Sequence, residues 1–322
     1  MKKTMLSLFL ALALVLSACG QTATTEKPAT DAVTEAATTT EAASDATEAT
    51  EAAATTYPVT ITDGLGNEIT LDKEPEKIVS MAPNVTEILF ALGLGDKVVA
   101  VSEFSDYPAE ASEIETIGGA MGYDLERIAE LAPDVILTNG MIEGIDKAGA
   151  PVAGYYPQTM EEVMKQIEQI GELTNTSAKA KEITDDMRAR IEKVKKSVQG
   201  LDAPTVFYEV WGDPLMVAGK GSFINEMITL SGGIDVAGDA EPYSNYSVEQ
   251  LVEKNPSLYI INDGDPNLTA QTIAERPGYA DLDAVKNDRV LAVDADLISR
   301  PGPRIVEGLE AVADFIHPDR AK

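Results

Sequence analysis

The sequence predicts an α/β protein made of two similar lobes that one long helix connects. Short apolar strand-like segments alternate with helical segments along most of the chain, as in sheets covered by helices. One helix–turn–strand pattern occurs twice, and a long amphipathic stripe lies between its two copies. The length of 322 residues is typical of about two folding units after short N-terminal segments are set aside.

The chain begins with the pattern of a signal peptide, which we assign to residues 1–18. Lys2 and Lys3 give a positive start, and the apolar stretch Leu6–Leu16 is shorter than the roughly 20 residues that span a bilayer as a helix. The ending Leu16-Ser-Ala-Cys19 resembles the bacterial lipobox, in which the cysteine is acylated and becomes the mature N-terminus. The alternative is a cysteine that merely follows an ordinary signal peptide.

Residues 19–56 then have the composition of a disordered tether. Residues 21–56 contain 12 Ala and 12 Thr together with seven acidic side chains, and almost no large apolar residue. Such a segment cannot bury enough surface to offset the entropy of ordering it. The folded body is therefore expected to begin at Tyr57.

The predicted N-terminal lobe covers residues 57–175. Val59-Thr-Ile-Thr and Glu68-Ile-Thr-Leu flank Asp63-Gly-Leu-Gly-Asn, which favours a hairpin. The lobe continues with strands near Lys77, Val98 and Asp134, separated by helical segments.

The predicted C-terminal lobe covers residues 201–322 and repeats the alternation. It has strands from Thr205, Leu258 and Val290, and helices from Ser222, Ser247 and about Pro303. Asp124–Asn139 aligns with Ser247–Asn262 at a constant offset of 123 residues, with four of 16 positions identical. Chance similarity of two helix–turn–strand segments is the alternative to a duplicated lobe.

Residues 176–200 lie between the lobes and have helical spacing. Ile183, Met187, Ile191, Val194 and Val198 form one apolar stripe at intervals of four, four, three and four residues. The segment predicts either a connecting helix between the lobes or an ordinary surface helix.

Charge and composition exclude several classes of function. The 54 acidic and 25 basic residues give a net charge of −29, which opposes binding to nucleic acid. Cys19 is the single cysteine and His317 the single histidine, so the chain lacks an internal disulfide and a Cys/His zinc site. With no G-x-S-x-G motif either, we expect neither an enzyme nor a resident cofactor.

These features together resemble the helical-backbone class of ABC-importer substrate-binding lipoproteins, the class III or type 2 periplasmic binding proteins. The resemblance covers about Lys77–His317 and is nearest to the cobalamin-binding branch, with iron-siderophore and haem binders related to it. It implies two Rossmann-like lobes with a ligand cleft between them. The segments that carry it begin Ser80-Met-Ala-Pro-Asn, Val101-Ser-Glu-Phe, Asp124-Leu-Glu-Arg, Trp211-Gly-Asp-Pro, Gly219-Lys-Gly-Ser and Ser299-Arg-Pro-Gly.

The resemblance and the positions of residues after strands suggest ligand contacts, which flat aromatic side chains make at little entropic cost. These candidates are Phe104, Tyr107, Met121, Tyr123, Trp211, Met216, Tyr243, Tyr246, Asp296 and Arg300. Packing within the core or a loop is the alternative for each aromatic residue. Two aromatics of the cobalamin binders are not matched, because Gly119-Ala-Met-Gly and Asn139 occupy those places.

The repeated Glu126 and Glu249, each in the first turn of a predicted helix, are implied to dock into the two permease subunits. Favourable interaction with the helix dipole is a compatible alternative. The expected protein is a monomer on the outer face of the bacterial cytoplasmic membrane, anchored through Cys19, that delivers a corrinoid to an ABC permease dimer and its ATPase subunits. The metal is expected to arrive already chelated. A ferric siderophore or haem is the alternative ligand, and a surface adhesin or enzyme is the alternative class of protein.

Overall fold

The computed structural model describes residues 54–262 and 269–320. The predicted signal peptide, Cys19 and most of the predicted tether lie outside the described residues. Two sheets covered by helices form the body, so the α/β prediction is confirmed. Within the described residues, no helix is both long enough and apolar enough to cross a bilayer.

The body begins with an antiparallel hairpin of β1 (Val59–Thr62) and β2 (Glu68–Leu71). The buried Asp63 carboxylate accepts hydrogen bonds from the backbone N–H groups of Leu65 and Asn67, which closes the turn. It also accepts one from Gly154 N–H at 2.8 Å. The same carboxylate therefore closes the hairpin and fixes it to the neighbouring sheet.

The N-terminal sheet has four parallel strands in the order β4-β3-β7-β8. These strands are β3 (Ile78–Ser80), β4 (Val98–Val101), β7 (Val135–Asn139) and β8 (Val152–Tyr155). The other elements are helices α1 (Pro83–Ala91) and α2 (Leu125–Leu131), and a small hairpin of β5 (Gly118–Gly119) and β6 (Gly122–Tyr123). The central strands β3 and β7 are almost wholly buried, as expected for a parallel sheet covered on both faces.

Two antiparallel helices follow, α3 (Met160–Leu173) and α4 (Ser177–Val198). The side chain of Thr159 caps α3 by accepting a hydrogen bond from Glu162 N–H. Helix α4 has 22 residues and is therefore about 33 Å long. It buries Met187, Ile191 and Val194 of the predicted stripe, while Ile183 is partly buried against the core.

The C-terminal sheet has six strands, with β12-β10-β9-β13-β14 as its main order and β11 beside β9. Its strands are β9 (Thr205–Gly212), β10 (Leu215–Val217), β11 (Ile234–Asp235), β12 (Ser244–Asn245), β13 (Leu258–Asn262) and β14 (Val290–Val293). Its helices are α5 (Phe223–Leu230), α6 (Val248–Lys254), α7 (Ala270–Glu275), α8 (Asp283–Lys286), α9 (Ala295–Ser299) and α10 (Ile305–Ile316). Strands β11, β9, β13 and β14 are parallel, whereas β10 is antiparallel.

The helix–turn–strand segment that occurs twice in the sequence has the same structure in both copies. Helices α2 and α6 each have seven residues, and β7 and β13 each have five. The residues that end the helices, Ala132 and Asn255, both adopt the left-handed conformation before the Pro turn. Strands β7 and β13 also occupy equivalent places, each between two parallel neighbours.

Candidate functional site

A cavity of about 270 Å³ lies between the two sheets, beside the ends of their strands. The N-terminal sheet contributes Asn139, the last residue of β7, and Tyr156–Gln158, which directly follow β8. The C-terminal sheet contributes Asn262 at the end of β13 and residues of β9. A crevice at the carboxyl ends of parallel strands is the usual ligand position in such sheets.

Aromatic rings supply much of the cavity wall. These residues are Tyr156, Tyr208, Phe223 and Tyr243. Burial raises the pKa of the Tyr208 and Tyr243 hydroxyls, so both stay protonated at neutral pH. They can therefore present hydrogen-bond donors as well as flat surfaces to a ligand.

Three side-chain amides supply further polar groups: Asn139, Gln158 and Asn262. Asn139 and Asn262 are an identical pair of the repeat, one at the end of each equivalent strand. Each amide offers both donors and an acceptor. The remaining wall residues are Pro157, Val210, Ile224, Ile298, Ser299 and Pro301, so no lining residue among those the structure describes carries a formal charge.

A cluster of charged residues joins the two lobes close to this cavity. Arg300 lies between the lining residues Ser299 and Pro301, and its Nη1 is 2.7 Å from Asp106 Oδ1. Its Nε is 2.9 Å from Asp296 Oδ1. Asp106 belongs to the N-terminal lobe and the other two residues to the C-terminal lobe, so the Arg300–Asp106 pair crosses the lobe boundary.

Arg304 makes a second crossing, to α1. Its Nε and Nη2 lie 2.9 and 2.6 Å from the two carboxylate oxygens of Glu87, an arrangement that adds geometric specificity to the charge attraction. The Glu87 side chain is only 2% exposed. The guanidinium of Arg304 also lies 3.7 Å from the ring centroid of Tyr107.

The structure brings only part of the predicted contact set to the cavity wall. Tyr243 lines the cavity. Asp296 and Arg300 pair with each other beside it. Phe104 and Met121 are exposed on loops of the N-terminal lobe and are not in the wall, and Tyr107 stacks on Arg304.

Two predicted contact residues make contacts within the protein. Tyr246 is buried in the core of the C-terminal lobe, with its ring 5.7 Å from that of Phe207, so its assignment as a ligand contact is withdrawn. Tyr123 donates its hydroxyl to the carbonyl of Met81 and packs against the N-terminal core. Trp211 and Met216 are partners across the β9–β10 pair and do not line the cavity.

Several wall residues were missed by the sequence analysis: Tyr156, Gln158, Tyr208 and Phe223. Tyr156 lies at the same end of the sheet as Asn139, and thus supplies an aromatic ring near the place where the sequence lacks one. The signals that could have found the wall are the duplicated Asn139 and Asn262, and an aromatic residue directly after a buried strand.

The two proposed docking residues are both exposed in the first turn of their helices. The Ser247 hydroxyl donates to Glu249 at 2.6 Å, which lowers the pKa of that carboxyl group. Helices α2 and α6 run back along their sheets before β7 and β13, so their N-termini lie at the carboxyl ends of the strands. Glu126 and Glu249 therefore lie at the same end of the molecule as the cavity.

Comparison with known proteins agrees with this geometry. A profile of the periplasmic binding protein family matches residues 78–297. The chain belongs to that family. The matched range includes both sheets and the helix between them, which confirms the family resemblance inferred from the sequence.

Named relatives cover nearly the same range. An uncharacterised ABC transporter substrate-binding lipoprotein of Bacillus subtilis is 36% identical over 279 residues, which are 83% of this chain and 88% of the relative. A vitamin B12-binding protein of Vibrio cholerae is 30% identical over 75% of this chain and 89% of its own length. These relatives are named for solute binding rather than for catalysis.

Solved structures share the fold. The periplasmic vitamin B12-binding protein of Vibrio cholerae has a TM-score of 0.69 at 29% identity, covering 77% of this chain and 99% of the other. A possible iron-binding protein of Staphylococcus epidermidis has a TM-score of 0.68 at 31% identity, over 76% of this chain and all of the other. A haem-binding protein of Roseiflexus reaches 0.69 at 25% identity, over 77% and 99%.

Proposed function

We propose that this protein is the extracytoplasmic receptor of an ABC importer, and that it captures a corrinoid and delivers it without chemical change. Membership of the periplasmic binding protein family and the similarity to a substrate-binding lipoprotein support the importer role. The cavity between the sheets is the ligand site in this proposal. The receptor acts only by binding the ligand and then the permease, so no catalytic residue is required.

The uncharged wall is the observation that favours a corrinoid. Aromatic rings and the amides of Asn139, Gln158 and Asn262 line the cavity, without a charged side chain among the described lining residues. The periphery of a corrin ring carries carboxamides, which pair with side-chain amides through both donor and acceptor groups. A haem carries propionates, and a buried carboxylate needs a cation or several donors to offset its desolvation.

A ferric siderophore or haem is the second candidate, and the guanidinium groups of Arg300 and Arg304 favour it. Arginine forms paired hydrogen bonds with carboxylates, and Arg300 directly adjoins the cavity wall. Both arginines, however, already pair with carboxylates of the protein. The second candidate therefore requires those pairs to open when the ligand binds.

Delivery in this proposal uses Glu126 and Glu249, one from each lobe. Both are exposed at the end of the molecule where the cavity lies. A permease dimer with one basic pocket on each subunit would engage the two carboxylates together, so that each contact strengthens the other. Acylation of Cys19 would hold the receptor on the outer face of the cytoplasmic membrane, since two or more acyl chains anchor stably.

Ligand titration of the purified protein tests the receptor proposal. We expect quenching of the fluorescence of Trp211, the only tryptophan, on addition of cyanocobalamin, with an affinity in the micromolar range or tighter. Haemin and a ferric hydroxamate are titrated in parallel. Preference for either of these would favour the second candidate, and the absence of binding to all three would contradict the receptor proposal.

A further inference from the structure

The charged cluster beside the cavity contains more carboxylates than guanidinium groups. Arg300 pairs with Asp106 and Asp296, and its Nη1 is also 3.4 Å from Glu87 Oε1. Arg304 pairs with Glu87. Three carboxylates thus face two guanidinium groups, which leaves one negative charge in excess.

Arg300 is the member of the cluster that directly adjoins the cavity wall along the chain. The residues on either side of it, Ser299 and Pro301, both line the cavity. Its side chain is only 12% exposed, and its donors point to carboxylates from both lobes. The cation that could best meet a ligand anion is therefore already occupied.

The ion pairs made by Arg300 are expected to contribute little to the stability of the fold. The Asp106 side chain is 60% exposed and that of Asp296 is 39% exposed. Ion pairs with an exposed partner contribute little to the free energy of unfolding, because solvent screens them. Their position next to the cavity calls for another account.

We propose that Asp106 and Asp296 are specificity-determining residues that exclude anionic chelates from the cavity. They occupy the guanidinium of Arg300 and set the sign of the local charge. A ligand with carboxylates would have to displace them and would meet the excess negative charge as well. This inference rests on the proposed function, because it concerns the ligand choice of the same cavity.

The double variant Asp106→Asn with Asp296→Asn tests the inference, since it keeps side-chain size and removes both charges. The freed Arg300 should bind the propionates of haemin, so we expect the affinity for haemin to rise at least about tenfold at low salt. That gain should shrink as ionic strength rises. The selectivity, taken as the ratio of the affinity for haemin to the affinity for neutral cyanocobalamin, should rise as well.

A matched control separates local from overall charge. The exposed Asp72 and Asp202 lie outside the cavity wall, and Asp72→Asn with Asp202→Asn changes the net charge by the same amount. This control should leave the affinity for haemin at the wild-type value. Adding Arg300→Gln to the first double variant should abolish the gain.

Three results would overturn the inference: no gain in the double variant, an equal gain in the control, or persistence of the gain without Arg300. The single variant Asp106→Asn, at the more exposed position, provides a smaller gain to measure if the double variant unfolds. Failure of the receptor proposal can be distinguished, because the wild-type protein would then bind none of the chelates.

Discussion

Among the described residues of the cavity wall, Tyr243 is the one with a positive φ. Its φ of 49° lies in the left-handed region, which costs a non-glycine residue about 1 kcal/mol or more. Its backbone N–H donates to the carbonyl of Ala218, and its side chain lines the cavity while remaining 46% exposed. The structure thus holds an aromatic ring at the cavity in a conformation that the residue itself disfavours.

Replacing Tyr243 by Ala should weaken corrinoid binding about tenfold, or ~1.4 kcal/mol, because a flat contact surface and a hydroxyl donor are lost. Titration monitored by Trp211 fluorescence measures the change. Tyr246→Phe is the matched control, since Tyr246 is buried in the core and should leave the affinity unaltered. Equal losses in both variants, or none in the first, would remove Tyr243 from the site.

The sequence distinguishes these two tyrosines poorly. Both precede the Glu249 helix and lie three residues apart, and only the course of β12 decides that Tyr243 reaches the cavity while Tyr246 enters the core. Tyr208 was missed for a related reason. It belongs to a strand with a nearly continuous buried run, so the alternation pattern does not show which residues face the other lobe.

At the scale of elements, the repeated helices α2 and α6 present equivalent charged ends. Asp124 and Ser247 cap them through hydrogen bonds to Arg127 N–H and Gln250 N–H. Glu126 and Glu249 follow in the first turn, where a negative charge is favoured by the helix dipole. The dipole explains an acid at that position, but it does not require exposure at the cavity end in both copies.

We expect the double variant Glu126→Ala with Glu249→Ala to abolish corrinoid uptake by cells and to leave the ligand affinity unchanged. The reason is that both carboxylates contact the permease in the proposed function, and neither lies in the cavity wall. Uptake of radiolabelled cyanocobalamin and titration of the purified variant measure the two quantities.

The same helices supply the control for this experiment. Glu130 and Glu253 are the other repeated acidic pair, exposed one turn further along α2 and α6. Their double Ala variant has the same change in charge and should transport normally. Unchanged uptake in the Glu126 and Glu249 variant would contradict the docking role.

Elements with a strong period could be predicted, and elements defined by their surroundings could not. The stripe from Ile183 to Val194 indicated α4 because its apolar spacing is unbroken. Helix α3 was missed, although Thr159 and Glu162 form a capping signal before it. The two-residue strands are likewise defined by pairing with a neighbour, which sequence period does not reveal.

At the scale of the whole molecule, the two lobes are held by more than α4. Glu87 and Arg304 cross the boundary in a partly buried pair, and Glu226 accepts a hydrogen bond from Met160 N–H at 2.7 Å. Asn84 reaches the carbonyl of Pro301 at 3.4 Å. Like the long helix, these contacts restrict the movement of one lobe relative to the other.

We therefore expect only a modest closure when ligand binds. The radius of gyration from small-angle scattering, measured with and without cyanocobalamin, should change by no more than a few per cent, because a hinge rotation would break the crossing contacts. A large compaction on binding would contradict this expectation. A test for ligand occupancy in the same sample ensures that the comparison is between free and bound protein.

The duplicated segment predicted two lobes, and parallel strands predicted a crevice at their ends. The charged crossing could not be predicted in the same way. Glu87 and Arg304 are 217 positions apart in the chain, and the sequence around each residue does not predict that the two pair. Long-range pairing of this kind depends on how the finished lobes meet.

The entry point of the chain into the body has a mechanical consequence. Thr55 donates its N–H to Asn175 Oδ1 and its hydroxyl to the carbonyl of Glu172, and the Tyr57 hydroxyl donates to the carbonyl of Leu173. These bonds attach the chain to the turn between α3 and α4, so the body begins at least two residues before the predicted boundary.

Helix α3 starts beside the cavity wall and carries the chain about 20 Å away before that turn. A pull on the chain ahead of Thr55 is therefore transmitted to the base of the molecule, at the end opposite the cavity and the two exposed glutamates. An anchor at Cys19, as proposed, would therefore hold the protein by its base and leave both the ligand opening and the charged helix ends unobstructed.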